Sequence, residues 1–420
     1  AGSTLFQKHS NSFVLSNALS YHYEDVIEIP KEYSGYSILS ENGEIIHTQE
    51  INGRLYCKVS LPPLSFTTFS KGEKLKQSAN NASGYVLENE LIKYTFSNDG
   101  TLISALDKET NNGLLDGPGN VLSLYEDRPL NWDAWDIDFY YKESLLETAK
   151  TNKIKQVISG PVLSSLEFHY TVGNSILKQK ITLGNQSKRL DFDTYVEWKE
   201  KHKMLRVHFP TNIRSEQASF DIQYGYVKRN THKNTSWDRA KFEVVGHKYA
   251  DLSNNDNGIA ILNDCKYGYS VLDNVIDLNL LRSPNNPDAD ADLGEHSFIY
   301  SFYPHQNDLI RSDVIQESTI LNHPPLLFNG VKNNNSKSLI NFDGKGIEIT
   351  AIKKSEQSNE IIFRAVETLG KTSKGKIYFN GKVAETNLME RRNLKPAKNV
   401  NGSLVIKLKP FEIKTFRCSL

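Results

Sequence analysis

Cysteine is scarce in this sequence of 420 residues, which contains only Cys57, Cys265 and Cys418. The three are odd in number and lie far apart. Because they form no CxxC or Cys/His spacing, they predict neither a disulfide framework nor a zinc motif. A reducing compartment suits such a set, and we expect the protein to be cytoplasmic.

Long apolar runs and an excess of one charge are also missing. No window approaches the roughly 18 consecutive apolar residues of a membrane span, and the first residues form no signal peptide. Because 50 Lys and Arg residues balance 50 Asp and Glu residues, no net field attracts nucleic acid or anionic lipid. We therefore expect neither nucleic acid nor a membrane as a partner. The start at Ala1 indicates a segment of a longer polypeptide, unless an initiator Met was removed.

Helical periodicity is rare, whereas alternation of apolar and polar residues is common. Only residues 141–152 could form a short helix. In Arg54–Leu61 and Leu190–Trp198 the alternation is typical of strands with one buried face. The turn residues 98–100 and 173–174 each separate two strand-like runs and predict hairpins. The predicted fold class is all-β, built from antiparallel sheets.

Two changes in composition divide the chain. Residues 70–83 are polar and without periodicity, which is typical of a linker. The run His323, Pro324, Pro325 interrupts the strand pattern, because proline cannot donate to a central ladder. We predict a small β domain at 1–75, a large two-sheet domain at 84–322 and a further β domain at 326–420.

Aromatic residues and carboxylates are densest at residues 126–141, which include Trp132, Trp135 and Asp136. Such a mixture suits a sugar site, because flat rings pack on the C–H face of a pyranose and carboxylates accept hydrogen bonds from its hydroxyls. The alternative is structural, since this segment also alternates like a strand with one buried face. Spacing leaves both interpretations open.

A second polar segment, residues 280–296, combines Arg282 with three aspartates at alternating positions. Asp288, Asp290 and Asp292 lack the Gly and Glu that an EF-hand loop needs at its sixth and twelfth positions, so they do not predict calcium. Arg282 ends an apolar run. From there its guanidinium can either neutralise these acids or donate to the hydroxyls of a ligand.

Several segments of the chain resemble glycoside hydrolase family 38, the α-mannosidases, in their soluble bacterial and vacuolar type. The segments are EDRPLNWDAWDIDFYY (126–141), IQYGYVKRNTHKNTSWDRAKFEVVGHKYADLS (222–253), LLRSPNNPDADADLGEHSFIYSFYPH (280–305) and NALSYHYEDVIEIP (17–30). The resemblance runs from about residue 10 to the C-terminus and covers only the C-terminal β portion of the family. It implies a small N-terminal β domain, a galactose-mutarotase-like supersandwich at 84–322 and a C-terminal β-sandwich.

The resemblance also implies how the activity is divided along the polypeptide. The family's retaining hydrolysis of α-mannosides uses an aspartate nucleophile, a carboxylic acid as acid/base and a zinc ion that holds sugar hydroxyls, all from an N-terminal portion. This chain is then a C-terminal part that is inactive alone and has no catalytic residue or metal ligand; zinc belongs to the full-length enzyme. The implied partners are an α-mannoside and the chain's own N-terminal catalytic domain, and a homo-oligomer is compatible with them.

Two residues match positions at which the family's supersandwich approaches bound mannose. Trp135 would stack on the sugar or donate through its indole N–H, and Arg282 would donate to a sugar hydroxyl or to a carboxylate of the catalytic domain. Trp132, Asp136 and Asp292 are further candidates for the same cleft.

Two other functions stay open. A stand-alone carbohydrate-binding module would bind mannosides through Trp132 or Trp135. A mutarotase-like sugar isomerase would need a His and a Glu as general acid and base on the concave face of a sheet.

Overall fold

A computed structural model describes residues 5–74, 80–82, 84–334, 341–378, 381–391, 393–396 and 403–419. These residues are almost entirely β and form seven sheets, so the predicted all-β fold is confirmed. The chain divides into two compact units, of which the first comprises residues 1–77, 223–226 and 323–420 and the second residues 78–222 and 227–322. The first unit thus contains both ends of the chain. The division into three domains stays a prediction.

The first unit contains four sheets among its described residues. The two sheets that hold the N-terminal strands have the spatial orders Leu326–Asn333, Phe6–Asn17, Ser65–Lys74, Tyr36–Leu39, Ile45–Ile46 and Tyr23–Ile29, Arg54–Leu61, Thr48–Ile51. The two C-terminal sheets have the orders Asn341–Asp343, Ser373–Tyr378, Ser403–Leu408 and Ile347–Lys354, Ile361–Glu367, Ile413–Ser419, Lys382–Thr386, Asn393–Pro396. A 3-10 helix spans Lys31–Tyr33. Apolar side chains of both C-terminal sheets share one core, which makes this part a β-sandwich.

The second unit contains the other three sheets. A four-stranded sheet has the order Asn112–Gly113, Leu102–Asp107, Ile92–Phe96, Val86–Glu88. A six-stranded sheet has the order Leu145–Thr148, Val121–Glu126, Lys203–Pro210, Val275–Arg282, Gly268–Leu272, Val244–Val245. A ten-stranded sheet, of whose first strand only residues 227–230 belong to this unit, has the order Gly225–Asn230, Gln217–Ile222, Tyr249–Ser253, Asn257–Asn263, Gly294–Gln306, Leu190–Trp198, Ser175–Gly184, Leu163–Val172, Lys150–Ser159, Asn80–Ala82. The helices among the described residues of this unit are a 3-10 helix at Phe139–Glu143 and α-helices at Ser236–Ala240 and Val314–Asn322.

The core of the second unit lies between the six-stranded and ten-stranded sheets. Phe209 of the first packs on Phe192 of the second, with ring centroids 5.9 Å apart, and Phe192 stacks on Tyr300 at 5.0 Å. Along Leu190–Trp198 every second side chain is buried, which confirms the alternation. Because this core occupies one face of the six-stranded sheet, side chains of the other face are available to build a site.

Both predicted hairpins are confirmed. Ile92–Phe96 pairs with Leu102–Asp107 across residues 98–100, and Val172 pairs with Ser175. Between this last pair Gly173 has a φ of 57°, a conformation that glycine adopts without steric strain.

Three local predictions are wrong. Of residues 141–152 only 141–143 are helical, as the end of the 3-10 helix Phe139–Glu143. The chain then continues as strands, because pairing with neighbouring strands overrides weak local propensity. The proposed linker begins inside the strand Ser65–Lys74, where polar side chains are no obstacle to backbone pairing; residues 75–79 and 83 lie outside the described residues. The helix Val314–Asn322 was missed because its nine residues fall short of the window that periodicity requires.

Candidate functional site

The aromatic segment forms a loop at one end of the strands of the six-stranded sheet, after Val121–Glu126. We call residues 127–138 the tryptophan loop. In this sheet Glu126 pairs with Lys203 of the neighbouring strand, and Met204 pairs with Arg282 of the strand beyond. The register therefore brings Arg282 to the same end of the sheet at which the tryptophan loop begins.

Arg282 is the centre of a hydrogen-bond network that holds the tryptophan loop. Its Nε donates to Oδ2 of Asp127 at 2.5 Å, and its Nη2 donates to Oδ1 at 3.4 Å. Nη2 also donates to the carbonyl oxygens of Asp133, at 2.9 Å, and Asp136, while Nη1 donates to that of Ala134 at 3.3 Å. One guanidinium thus binds both the first residue of the loop and the turn that carries its tryptophans.

The partner of Arg282 differs from those that the sequence suggested. Its carboxylate partner is Asp127, which is buried, rather than an acid of residues 288–292. Asp290 instead pairs with Lys201 at 3.1 Å. Burial raises the pKa of Asp127, although the charge of Arg282 and its hydrogen bond oppose the shift.

Two further aspartates fix the shape of the tryptophan loop. Asp133 accepts hydrogen bonds from the backbone N–H groups of Asn285 and Asn286, at 2.7 and 3.0 Å. Asp138 accepts from the backbone N–H of Leu130 at 2.7 Å and from the Tyr140 hydroxyl at 2.8 Å. These carboxylates replace the backbone partners that a sheet would supply, so the loop is ordered without being a strand.

The interpretation of this segment as a half-buried strand is therefore wrong. Trp132 has a φ of 57°, and its carbonyl oxygen accepts from the N–H groups of both Trp135 and Asp136, at 2.7 and 2.8 Å. These bonds close a turn. The carbonyls that follow Trp132 are taken by Arg282 rather than by a neighbouring strand.

Trp132 and Trp135 point into solvent. The two residues are 68% and 71% exposed, and their rings meet edge to face with centroids 6.4 Å apart. Leu130 and Phe139 are also exposed nearby in the chain. Large aromatic residues that stay exposed on an ordered loop are typical of a recognition surface. They add little to the core and leave apolar area that a ligand or partner can bury.

The structure brings most of the candidate residues together. Trp132, Trp135 and Asp136 share the turn that Arg282 holds, and Asp136 is exposed. Asp292 lies in a different turn. It is exposed, its carbonyl oxygen accepts from Nε2 of His296 at 2.7 Å, and its charge acts on Lys266.

No local pattern predicted a group of buried charged residues on the face of the six-stranded sheet that lies opposite the core. Arg206 is fully buried, donates to Asp277 at 2.7 Å and to Glu243 at 3.0 Å, and lies 5.1 Å from the ring centroid of Tyr141. Burial raises the pKa of Glu243 and lowers that of Lys142. In the sequence Arg206 alternates with core residues. This pattern normally predicts a charged side chain in solvent, so it gave no indication that Arg206 is buried.

Two models of known families match this chain. The glycosyl hydrolases family 38 C-terminal domain matches residues 87–290, and the glycosyl hydrolases family 38 C-terminal beta sandwich domain matches residues 346–416. The chain therefore belongs to glycosyl hydrolase family 38 and carries its C-terminal domains. The resemblance predicted from the sequence is confirmed.

Similar proteins agree with this family. The chain is 37% identical to alpha-mannosidase G of Dictyostelium discoideum over 97% of this chain and 40% of that protein. It is 38% identical to human alpha-mannosidase 2C1 over 63% of this chain and 26% of that protein, and 30% identical to the alpha-mannosidase of Saccharomyces cerevisiae over 86% and 38%. The chain thus spans less than half the length of these relatives.

A solved structure shares the fold. The crystal structure of a family 38 protein from Enterococcus faecalis superimposes with a TM-score of 0.73 at 18% identity, covering 97% of this chain and 58% of that one. This likeness shows that nearly the whole chain shares the fold of that protein.

The zinc that the family implies does not fit the described residues. Those residues contain no group of three or more His, Cys, Asp and Glu side chains placed to hold a metal ion. Nor does any helix in the described part of the chain have the length and apolar character that crossing a membrane requires. The three cysteines, all within the described residues, are free thiols.

Proposed function

We propose that this chain is the non-catalytic scaffold of a retaining α-mannosidase and forms one wall of its mannoside-binding cleft. The observation that carries the proposal is the exposed pair Trp132 and Trp135 on a loop that Arg282 fixes. Hydrolysis then requires the N-terminal portion of the polypeptide, which supplies the zinc ion and the carboxylates. The three free thiols support a cytoplasmic site of action.

Each candidate residue has a distinct role in this proposal. Trp135, with Trp132 beside it, packs on a mannose ring or donates its indole N–H, and the exposed Asp136 accepts from a hydroxyl. Arg282 mainly positions the loop, and its second Nη1 hydrogen, which has no acceptor among the described residues, is left for a sugar hydroxyl or a carboxylate of the catalytic portion. Asp292, in its separate turn, would accept a hydrogen bond from the sugar at the rim of the cleft.

The partner surface on this chain is the exposed apolar set around the tryptophan loop. It comprises Leu130, Trp132, Trp135 and Phe139. Because relatives extend well beyond the length of this chain, the preceding part of the same polypeptide is the partner that we propose for it. The tryptophan loop would then make two kinds of contact, apolar contacts with the catalytic portion at the rim of this surface and contacts with the sugar at its centre.

The test compares this chain with the product of the longer reading frame. We expect the longer product to hydrolyse an aryl α-mannoside and to lose activity to a chelator, and the 420-residue chain to show neither property. In the longer product Trp135→Ala should raise KM, whereas Trp237→Ala, at a position 78% exposed and outside the tryptophan loop, should leave KM unchanged. Hydrolysis by the 420-residue chain alone would overturn the proposal.

A stand-alone carbohydrate-binding module is the second candidate, because the same exposed tryptophan pair favours it. Calorimetry of the isolated chain with mannose and mannobiose separates the two. Millimolar binding that Trp135→Ala abolishes would favour the module, while no Trp135-dependent binding fits a wall that is half of a site. A sugar isomerase would need a Glu as general acid or base. Glu243 is buried and paired with Arg206, and a mutarotation assay tests that activity directly.

A further inference from the structure

A polar cavity of about 370 Å³ opens in the second unit and shares no lining residue with the tryptophan loop. Its lining residues include Glu216, Gln217, Lys228, Ser253 and Asp308. The volume is at the lower end of the roughly 300–1,000 Å³ of small-molecule sites. Most such sites are apolar, so a lining rich in hydroxyl, amide and charged groups selects a hydrophilic ligand.

Neighbouring strands of the ten-stranded sheet and the loops that follow them build the cavity. Gln217 begins the strand Gln217–Ile222, and Ser253 ends the strand Tyr249–Ser253 beside it. Asp308 is held by Arg311, whose Nε lies 3.2 Å from Oδ1 and whose Nη2 donates to the carbonyl oxygen of Asn255 at 3.1 Å. The wall is therefore tied together by hydrogen bonds rather than left as open loops.

The lining residue Ser253 is hydrogen-bonded to a buried pair of side chains. Ser253 Oγ donates to Oδ2 of Asp251 at 2.7 Å, and Oδ1 of Asp251 pairs with Nε2 of His305 at 2.8 Å, both side chains being almost completely buried. Because the Ser253 hydrogen is already donated, its oxygen is left as an acceptor. Gly258 packs closely behind, since a Cβ there would lie 2.4 Å from His305 and 2.5 Å from Ser253.

The charges of the lining decide the class of ligand. Asp308 is already paired with Arg311, which leaves the carboxylate of Glu216 and the ammonium of Lys228, so the lining has no excess of one charge that would select an anion or a cation. Hydroxyl groups can donate to Glu216 and to the Ser253 oxygen and can accept from Lys228 and the Gln217 amide. We propose that this cavity binds a neutral polyhydroxylated molecule of about the size of one sugar ring, at a site independent of the tryptophan loop.

The test uses the 420-residue chain with D-mannose as the probe and inorganic phosphate as the anionic comparison. The cavity variant is Glu216→Gln with Lys228→Met, two exposed positions at which the new side chains keep the shape and lose the charges. Saturation-transfer NMR and calorimetry should show mannose bound by the parent chain and bound at least about tenfold more weakly by the cavity variant. Trp135→Ala should retain this binding, and phosphate should not compete.

Several results would overturn the inference. They are the absence of mannose binding, binding that Trp135→Ala abolishes while the cavity variant retains it, and displacement of mannose by phosphate. A crystal of the parent chain soaked in mannose decides the matter without variants, because the sugar must occupy the space beside Ser253 and Glu216. The proposed cleft-wall function is tested separately by the activity of the longer product, so either proposal can fail alone.

Discussion

Arg282 and Asp127, separated by 155 residues in the sequence, form a buried ion pair at 2.5 Å. Asp127 is 2% exposed and Arg282 is 14% exposed. The same guanidinium also binds the carbonyl oxygens of Asp133 and Ala134. The pair therefore couples one end of the sheet to the conformation of the loop that presents Trp132 and Trp135.

Asp127→Asn should destabilise the second unit by about 3–5 kcal/mol, because it leaves the Arg282 charge buried without a counter-charge. All four tryptophans of the chain lie in this unit, so urea unfolding followed by tryptophan fluorescence reports on it. The matched control is Glu126→Gln, which breaks the exposed pair with Arg128 and should change the free energy of unfolding by less than about 1 kcal/mol. Equal effects of the two variants would contradict this assignment.

Trp135→Ala should change the free energy of unfolding by less than about 0.5 kcal/mol, because the side chain is largely exposed and packs on little. Trp198→Ala should remove about 3–5 kcal/mol, since Trp198 is 1% exposed within the core. Thermal unfolding followed by circular dichroism compares the two without relying on fluorescence. A large loss for Trp135→Ala would mean that Trp135 supports the fold rather than a ligand.

Tyr141→Phe should be neutral or slightly stabilising. The Tyr141 hydroxyl is buried and has no partner among the described residues, so its removal relieves an unfavourable desolvation. Tyr300→Phe is the matched change, because that hydroxyl donates to Asn120 at 2.6 Å and accepts from Gln179 at 2.7 Å. We expect Tyr300→Phe to lower the free energy of unfolding by about 1–3 kcal/mol. Similar losses for both variants would show that the Tyr141 hydroxyl has a partner after all.

His305→Gln should lower stability most at acid pH. Burial alone would lower the pKa of His305, but the charge and hydrogen bond of Asp251 outweigh it, so the pKa lies above the usual 6.5. A raised folded-state pKa means that the native state holds the proton more tightly. The stabilisation is therefore fully present below pH 6.5 and is lost as the pH rises through the higher folded-state value.

The pH dependence of His208→Gln should have the opposite sign. Burial lowers the pKa of His208 below 6.5, so protonation at acid pH destabilises the native state and the parent loses its advantage over this variant as the pH falls. Urea unfolding of the parent and both variants across this pH range measures the two differences. Differences that do not change with pH would contradict the ion pair of His305 with Asp251.

Local patterns were sufficient to predict the strands and hairpins. Alternation in Arg54–Leu61 and Leu190–Trp198 depends on the two-residue repeat of a strand, and residues 98–100 and 173–174 carry the turn residues that hairpins need. The helix Val314–Asn322 and the strands after Glu143 were not predicted, because short elements are decided by what they pack against.

The candidate residues were named from the sequence, whereas their arrangement was not, and their role in binding stays a prediction. The sequence indicated Trp132, Trp135, Asp136 and Arg282 as candidates, and the structure places all four at one turn. The strand interpretation of the same segment failed. A charged residue elsewhere in the chain took the carbonyl groups that a strand would have paired, and no local pattern contains that information.

The all-β class, the family and the type of residue at the tryptophan loop could be predicted from the amino-acid sequence alone, because these depend on neighbours within a few positions. The folded chain was needed to show that Asp127 is the partner of Arg282, that Arg206 is buried with Asp277 and Glu243, and that Ser253 lines a polar cavity. The physical reason is that charges and hydrogen bonds act through space. Their strength depends on which distant strands the fold brings together and on how completely water is excluded between them.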